Sequence, residues 1–260
     1  MANVIPMAGE GSRFSKEDYS VPKPLIPVSG VPMIVKAIRD MPESDKWIFL
    51  VRKEHIDEYQ IDNVIKSEIK EAIIIPVEKT TEGQAATCML AEEYLEEEEE
   101  LFIAACDNGY LYDNRKFERL KKEADSVVFT LTKMETLRRN PQAWGWCILK
   151  DDNKTISDMS IKKPISTNPF NDHAIVASFY FKKAKYFFNG YELMVKENFR
   201  INNEFYVDAM PIFLNKLGKK SVIFDVDLYV GWGSPSDLKD YEKIENSNTV
   251  EKLWKKYFEK

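Results

Sequence analysis

Histidine and cysteine are scarce in this chain of 260 residues: His55 and His173 are the only two histidines, and Cys88, Cys106 and Cys147 are an odd number without metal-type spacing. That pattern suits a reducing cytoplasm. No basic-then-apolar leader opens the sequence, and no apolar run approaches the roughly 20 residues needed to span a bilayer. A cytoplasmic protein without membrane insertion is the expectation. Positive charge is not in excess either. The 37 Lys and Arg against 43 Asp and Glu leave a net charge of -6 and a pI near 5.3. Nucleic acid and membrane surfaces are thereby set aside as partners, because affinity for a phosphate backbone requires clustered Lys and Arg. An anionic small molecule must then be held by a few local cations. Internal repeats and Gly/Ser-rich linkers are also missing, so residues 1–260 read as one domain. Its 44% hydrophobic and 12% aromatic content is enough for a sizeable core.

What is present is an alternation of elements. Asn3 to Met7 reads as a short buried strand running into a glycine turn, Pro32 to Met41 as a helix with Pro in its first turn, and Trp47 to Val51 as an apolar strand. A helical stretch through Ile69, a strand from Ala72 to Pro76, a helix from Gln84 to Leu95 and a strand from Leu101 to Cys106 continue the pattern. Such alternation implies an α/β fold, with a mostly parallel sheet flanked by helices. Strands near Ser126 to Thr132, Gly145 to Lys150, Ala174 to Phe181 and Ser221 to Leu228 are less regularly spaced and extend that sheet in a mixed sense. Helices near Glu204 to Leu217 and Ser234 to Lys260 accompany them. The acidic run Glu96 to Glu100 reads as a solvated face at a helix end.

The first strand delivers Gly9-Glu10-Gly11-Ser12-Arg13. Gly9 and Gly11 free the backbone for positive φ and let N–H groups approach a polyphosphate at the carboxyl end of a strand, where open α/β sheets place ligands. Arg13 can add a bidentate fork to phosphate oxygens. A dinucleotide fingerprint would need a third glycine where Phe14 stands, and a P-loop would need Gly-Lys-Ser/Thr, which is absent. Ten residues beyond Arg13, Lys23 lies between Pro22 and Pro24. Each proline fixes its own φ and extends the residue before it, so the lysine rides on a stiff stretch of chain.

Gly9, Gly11, Ser12, Arg13, Pro22, Lys23, Pro27, Val28, Gly30, Pro32, Met33 and Ile34 together resemble the signature of the sugar-phosphate nucleotidyltransferases, or NDP-sugar pyrophosphorylases. The resemblance implies a Rossmann-like nucleotidyltransferase fold and a Mg²⁺-dependent enzyme. Its substrates would be a nucleoside triphosphate and a phosphorylated small-molecule acceptor, with a role in making sugar nucleotides for polysaccharide biosynthesis. It also leaves room for a homo-oligomer. By the same resemblance, Met7, Ala8, Gly9, Glu10, Gly11, Ser12 and Arg13 cradle the nucleotide, and Glu78, Gly83 and Gln84 read its base. Where relatives commonly carry Gln, Glu78 can only accept hydrogen bonds, which suits a base with an exposed amino group. Asp107 looks like the aspartate that holds Mg²⁺.

Looser matches follow downstream. Trp144 and Gly145 resemble the segment beside the acceptor ring, and Lys163-Pro164 resembles the Lys-Pro that meets the acceptor phosphate. Lys162 stands where relatives carry a glutamate for sugar hydroxyls, which permits an acceptor with a further anionic group. Glu204 or Asp208 would touch the acceptor. Gly231 occupies the position of a second metal-binding aspartate, and Asp225 or Asp227 could replace it, Asp227 being assigned to the metal. The implied reaction is attack by an acceptor phosphate oxygen on the α-phosphorus, with pyrophosphate leaving, and with Arg13, Lys23 and Asp107 as the catalytic set. A phosphomonoester has its second pKa near about 6, so the nucleophile needs no general base. A cytidylyltransferase for a non-sugar acceptor such as phosphocholine or a phosphonate, a non-catalytic nucleotide-binding domain and a glycosyltransferase are the competing readings.

Overall fold

The computed structural model describes residues 1–17 and 19–246. Among these, thirteen strands follow in chain order: β1 (Ala2–Met7), β2 (Pro27–Val28), β3 (Val31–Pro32), β4 (Lys46–Arg52), β5 (Ile73–Val77), β6 (Leu101–Ala104), β7 (Asn108–Leu111), β8 (Ser126–Leu131), β9 (Gly145–Leu149), β10 (Ile156–Ile161), β11 (His173–Phe181), β12 (Ser221–Asp225) and β13 (Leu228–Gly231). Nine of them form one sheet in the order β10-β9-β11-β6-β1-β4-β5, with β8 along the other edge of β11 and β12 beyond β8. The first half is parallel, as strand–helix alternation requires: β1 lies between β4 and β6, and β4 pairs with β5. The mixed sense enters with β11, which runs antiparallel to β6, β8 and β9.

Alternation along the strands sends side chains to two apolar layers. Ile5, Phe49 and Val51 face one layer, which the helix Met33–Asp40 covers with Ile34 and Ile38 and which Phe102, Phe117, Phe129 and Phe224 extend. Val4, Ile48 and Leu50 face the other, covered by the helices Gln84–Met89, Ala184–Lys196 and Met210–Lys216. β7 and β13 leave the sheet as an antiparallel ribbon. β11 changes partner along its length, pairing with β9 at His173 and Ala174 and with β6 from Ser178 to Phe181. The change occurs at Ala177, whose φ of 53° breaks the register and whose carbonyl accepts from Ala105 N–H at 3.1 Å.

Several elements depart from the sequence pattern. The helical stretch after β4 divides into Lys53–Tyr59 and Ile61–Glu68 because Gln60 adopts φ 51°. The helix from Gln84 stops at Met89 and gives way to a 3₁₀ turn at Glu92–Tyr94. Ser221 to Leu228 is two strands rather than one, separated by Val226 and Asp227, and the helix expected from Glu204 begins only at Met210. The part of the Ser234 to Lys260 expectation beyond Asn246 lies outside the described residues. The acidic run is tied down rather than merely solvated: Glu98 meets Lys183 and Lys185, Glu99 meets Lys46 at 2.7 Å, and Glu100 meets Lys121 at 2.8 Å and the Tyr180 hydroxyl at 2.6 Å.

Candidate active site

The carboxyl end of β1 is where the site begins. Met7 and Ala8 are buried, Gly9 and Glu10 are exposed, and Gly11 turns the chain at φ 62°. Phe14 N–H donates to the Gly11 carbonyl at 2.9 Å, closing a single turn of helix at Ser12–Ser15. The buried Phe14 ring, edge-on to Tyr19 at 5.1 Å, anchors that turn, which leaves Ser12 and Arg13 on the solvent side. Pro22 sits at φ -62°, Pro24 is buried, and Lys23 opens a 3₁₀ turn between them. A Cβ on Gly11 would lie 3.4 Å from Lys23 Cβ, so the glycine turn stands directly beside the proline-braced lysine.

Lys23 Nζ pairs with the Asp107 carboxylate. Asp107 follows β6 and is held from the other side by the Trp232-Gly233 backbone. Trp232 N–H donates to its carbonyl at 2.8 Å, and a Cβ on Gly233 would come within 2.9 Å of its Oδ2. Burial pushes the Asp107 carboxyl up, but the charge and hydrogen bond of Lys23, with Arg13 behind, outweigh it and hold it below the usual range. Lys23 is penalised by burial too, and Asp107 outweighs that and raises its pKa. Both groups are therefore charged at neutral pH. The three residues read as catalytic come together: Lys23 and Asp107 touch, and Arg13 acts on both.

Glu78 follows the last residue of β5 and is exposed. Gly83 caps the helix that opens at Gln84, with φ 125° and ψ 176°, and a Cβ there would come within 2.6 Å of both N and O of Phe205. Phe205 N–H donates to the Glu82 carbonyl at 2.8 Å, and Ala85 N–H donates to the Phe205 carbonyl at 3.0 Å. Glu204, read as an acceptor residue, stands against Gly83, its Cβ 3.0 Å from the position a Gly83 Cβ would take.

The acceptor side gathers on β9 and the segment after β10. Gly145 lies over Asp208, and a Cβ there would meet Asp208 Oδ2 at 2.6 Å and Ile175 Cδ1 at 2.7 Å. Burial pushes the Asp208 carboxyl up, and Lys162 draws it partly back. Lys162 has φ 61°. Its N–H donates to the Trp144 carbonyl at 3.0 Å, its Nζ to the Ala143 carbonyl at 2.6 Å, and the ammonium stands 5.8 Å from the Tyr206 ring centroid. Lys163 is exposed, with its carbonyl fixed by the Ser160 hydroxyl at 2.7 Å. Trp144 meets Tyr229 edge-on at 5.6 Å. Sequence reasoning missed Tyr206 and Tyr229, and the available signal was their closeness in sequence to Asp208 and Gly231.

Asp227, expected at the metal, is placed at the far end of the β7–β13 ribbon from Gly231. Gly231 faces Asn108, next to Asp107, whereas Leu228 faces Leu111 and Asp227 N–H donates to the Leu111 carbonyl at 2.8 Å. At about 3.4 Å per residue, Asp227 lies roughly 13 Å along the ribbon from Gly231. Asp225 is engaged with the Thr130 hydroxyl at 2.7 Å and His173 at 2.9 Å. Among the described residues no group of three or more His, Cys, Asp or Glu side chains could enclose a metal ion. One carboxylate at a strand end still fits Mg²⁺ arriving with a nucleotide, because that ion commonly takes one or two carboxylates and completes its shell with phosphates and water.

No curated protein sequence matches the chain. The structure is similar to the nucleoside-diphosphate-sugar pyrophosphorylase of Vibrio cholerae RC9, with TM-score 0.74 and 17% identity over 93% of this chain and 99% of that one. It is also similar to the inositol-1-phosphate CTP transferase of T. maritima, with TM-score 0.70 and 16% identity over 95% and 96% of the two chains. A UDP-glucose pyrophosphorylase complexed with UDP-glucose gives TM-score 0.70 and 17% identity over 95% and 100%. These likenesses establish the fold. The nucleotidyl transferase family model matches residues 2–233, nearly the whole described chain and every motif from the glycine turn to Gly233, and the protein is a member of that nucleotidyl transferase family.

Proposed function

We propose that the protein transfers a nucleoside monophosphate from a nucleoside triphosphate to a sugar 1-phosphate, releasing pyrophosphate and forming an NDP-sugar. The observation that carries this reading is the contact of Lys23 with Asp107 directly beside the Gly11 turn that presents Arg13. A triphosphate seated on that turn meets a fork and an ammonium, and a carboxylate stands where a phosphate-bound cation needs one. Mg²⁺ held by Asp107 and the triphosphate would supply charge neutralisation on the phosphate oxygens.

The chain's own residues do the rest. Gly11 keeps the backbone clear for the phosphates, Arg13 and Lys23 stabilise charge on the phosphoryl group being transferred, and Lys163 meets the acceptor phosphate. Asp208 and the Trp144-Gly145 segment that packs on it receive the body of the acceptor. The nucleophile is already ionised near neutral pH, so neither histidine is needed as a base. His173 is engaged with Asp225, and burial pushes the His55 pKa down. The test is a matrix of five nucleoside triphosphates against sugar 1-phosphates and other phosphorylated acceptors, read by pyrophosphate release. Turnover confined to sugar 1-phosphates supports the reading, and none with any pair refutes it.

A second reading keeps the reaction and changes the acceptor to a non-sugar phosphate such as phosphocholine, or to a phosphonate, with CTP as donor. Lys162 supports it: an ammonium fixed to the Ala143 carbonyl at 2.6 Å stands where a sugar-reading carboxylate is expected. The same matrix separates the two.

A further inference from the structure

We infer that the Tyr229 hydroxyl is a further substrate-contacting group, donating a hydrogen bond to a non-bridging oxygen of the phosphoryl group in transit between nucleotide and acceptor. The inference rests on the nucleotidyl-transfer reading of this site.

The geometry comes from the ribbon. β13 sets Tyr229 opposite Tyr110 and Gly231 opposite Asn108. The phenol leans along its own strand over Gly231, where a Cβ would lie 2.9 Å from the hydroxyl oxygen and 3.2 Å from Cε1. Only a residue without a side chain at 231 lets the phenol lie there. From that position the hydroxyl feels Asp107 and Arg13 of the nucleotide half, and Asp237 at the start of the last helix. Its ring stands edge-on to Trp144 of the acceptor half at 5.6 Å. The two halves of the site therefore meet at this side chain.

The chemistry agrees with the placement. A phenol has an ordinary pKa of about 10, so the group carries its proton at neutral pH and can donate it. The Asn108 amide nitrogen donates to the Val176 carbonyl at 2.8 Å. Asn108 Oδ1 has no hydrogen-bond partner, so the phenol proton is not committed to it. A neutral donor of this kind, next to Arg13, is matched to an oxygen that gains negative charge as the phosphoryl group moves.

The test uses the full chain with the triphosphate and acceptor pair that the matrix identifies. Tyr229→Phe keeps the ring and its packing. It is expected to retain the melting temperature and to bind nucleotide within about twofold of the parent, while kcat falls roughly 10- to 100-fold with little change in acceptor KM. Gly231→Ala, which displaces the phenol without removing it, is expected to lower kcat in the same direction. A Tyr229→Phe variant with parental kcat, or one whose only change is a raised acceptor KM, overturns the inference while leaving nucleotidyl transfer intact. Absence of turnover in the parent with every pair overturns it together with the reading beneath it.

Discussion

Replacing Gly83 by alanine tests whether the nucleotide side is held by the loop behind it. Gly83 lies at φ 125°, ψ 176°, a region essentially restricted to glycine, and placing an L-residue there costs about 1–3 kcal/mol. The added methyl would also sit 2.6 Å from the backbone N and O of Phe205, atoms that no rotamer change can move aside. Forcing them apart stretches the pair of hydrogen bonds that Phe205 makes to Glu82 and Ala85, at a further cost of about 1–3 kcal/mol, typical of overpacking. The narrower unfolded ensemble of alanine returns about 0.4–1 kcal/mol. The net loss is about 1–6 kcal/mol, centred near 3 kcal/mol, and a 3 kcal/mol loss at roughly 2–4 °C per kcal/mol lowers the melting temperature by about 6–12 °C. Circular dichroism melts of parent and variant measure it directly, and calorimetric titration with nucleotide reads the accompanying loss of affinity. A Gly83→Ala protein that melts within about 2 °C of the parent and binds nucleotide equally well would refute the reasoning.

Three further outcomes are expected. Lys23→Ala lowers turnover by about a hundredfold or more, the scale set by losing one transition-state donor, and near-normal pyrophosphate release from it would remove Lys23 from the machinery. Asp107→Asn abolishes Mg²⁺-dependent turnover, and a fully active variant would show that the cation is held elsewhere. Asp40 concerns pH: burial pushes its carboxyl from 3.8 to about 7, with Lys36 pulling weakly the other way. The folded protein then binds more protons than the unfolded chain between these values, so this group's contribution to stability declines as pH rises from about 4 to 7. Asp40→Asn should therefore stabilise the protein relative to the parent at pH 8, by an amount on the order of 3 kcal/mol, and by little near pH 4. A melting difference that stays constant across that range would refute it.

The parts of the site legible in the sequence are those whose geometry is local. Gly11, Arg13 and the proline-braced Lys23 could be placed because prolines and glycines set backbone angles over neighbouring residues. The alternation of β1, β4, β5 and β6 with helices was legible for the same reason, since each unit announces its own period. What escaped is set by contacts distant in sequence. Gly83 packs against Phe205, the distance of Asp227 from Gly231 is set by the register of β13 on β7, and the same ribbon brings Tyr229 beside Gly231 and Trp144. The helix Asn114–Glu123 escaped for another reason: it buries Phe117 alone, too little to write an apolar stripe into its sequence.

The shared strand β11 has a consequence for how such a protein can change its chemistry. One end of it is bonded to the strand that leads to Asp107, and the other to the strand that carries Gly145. The span between the Asp107 and Gly145 ends of the site is thus a stretch of covalent backbone pinned at Ala177, a ruler rather than a spring. On the proposed reading, side chains around Asp208 or Glu78 could be exchanged for a different acceptor or base while β11 keeps the distance between the Asp107 and Gly145 strands unchanged.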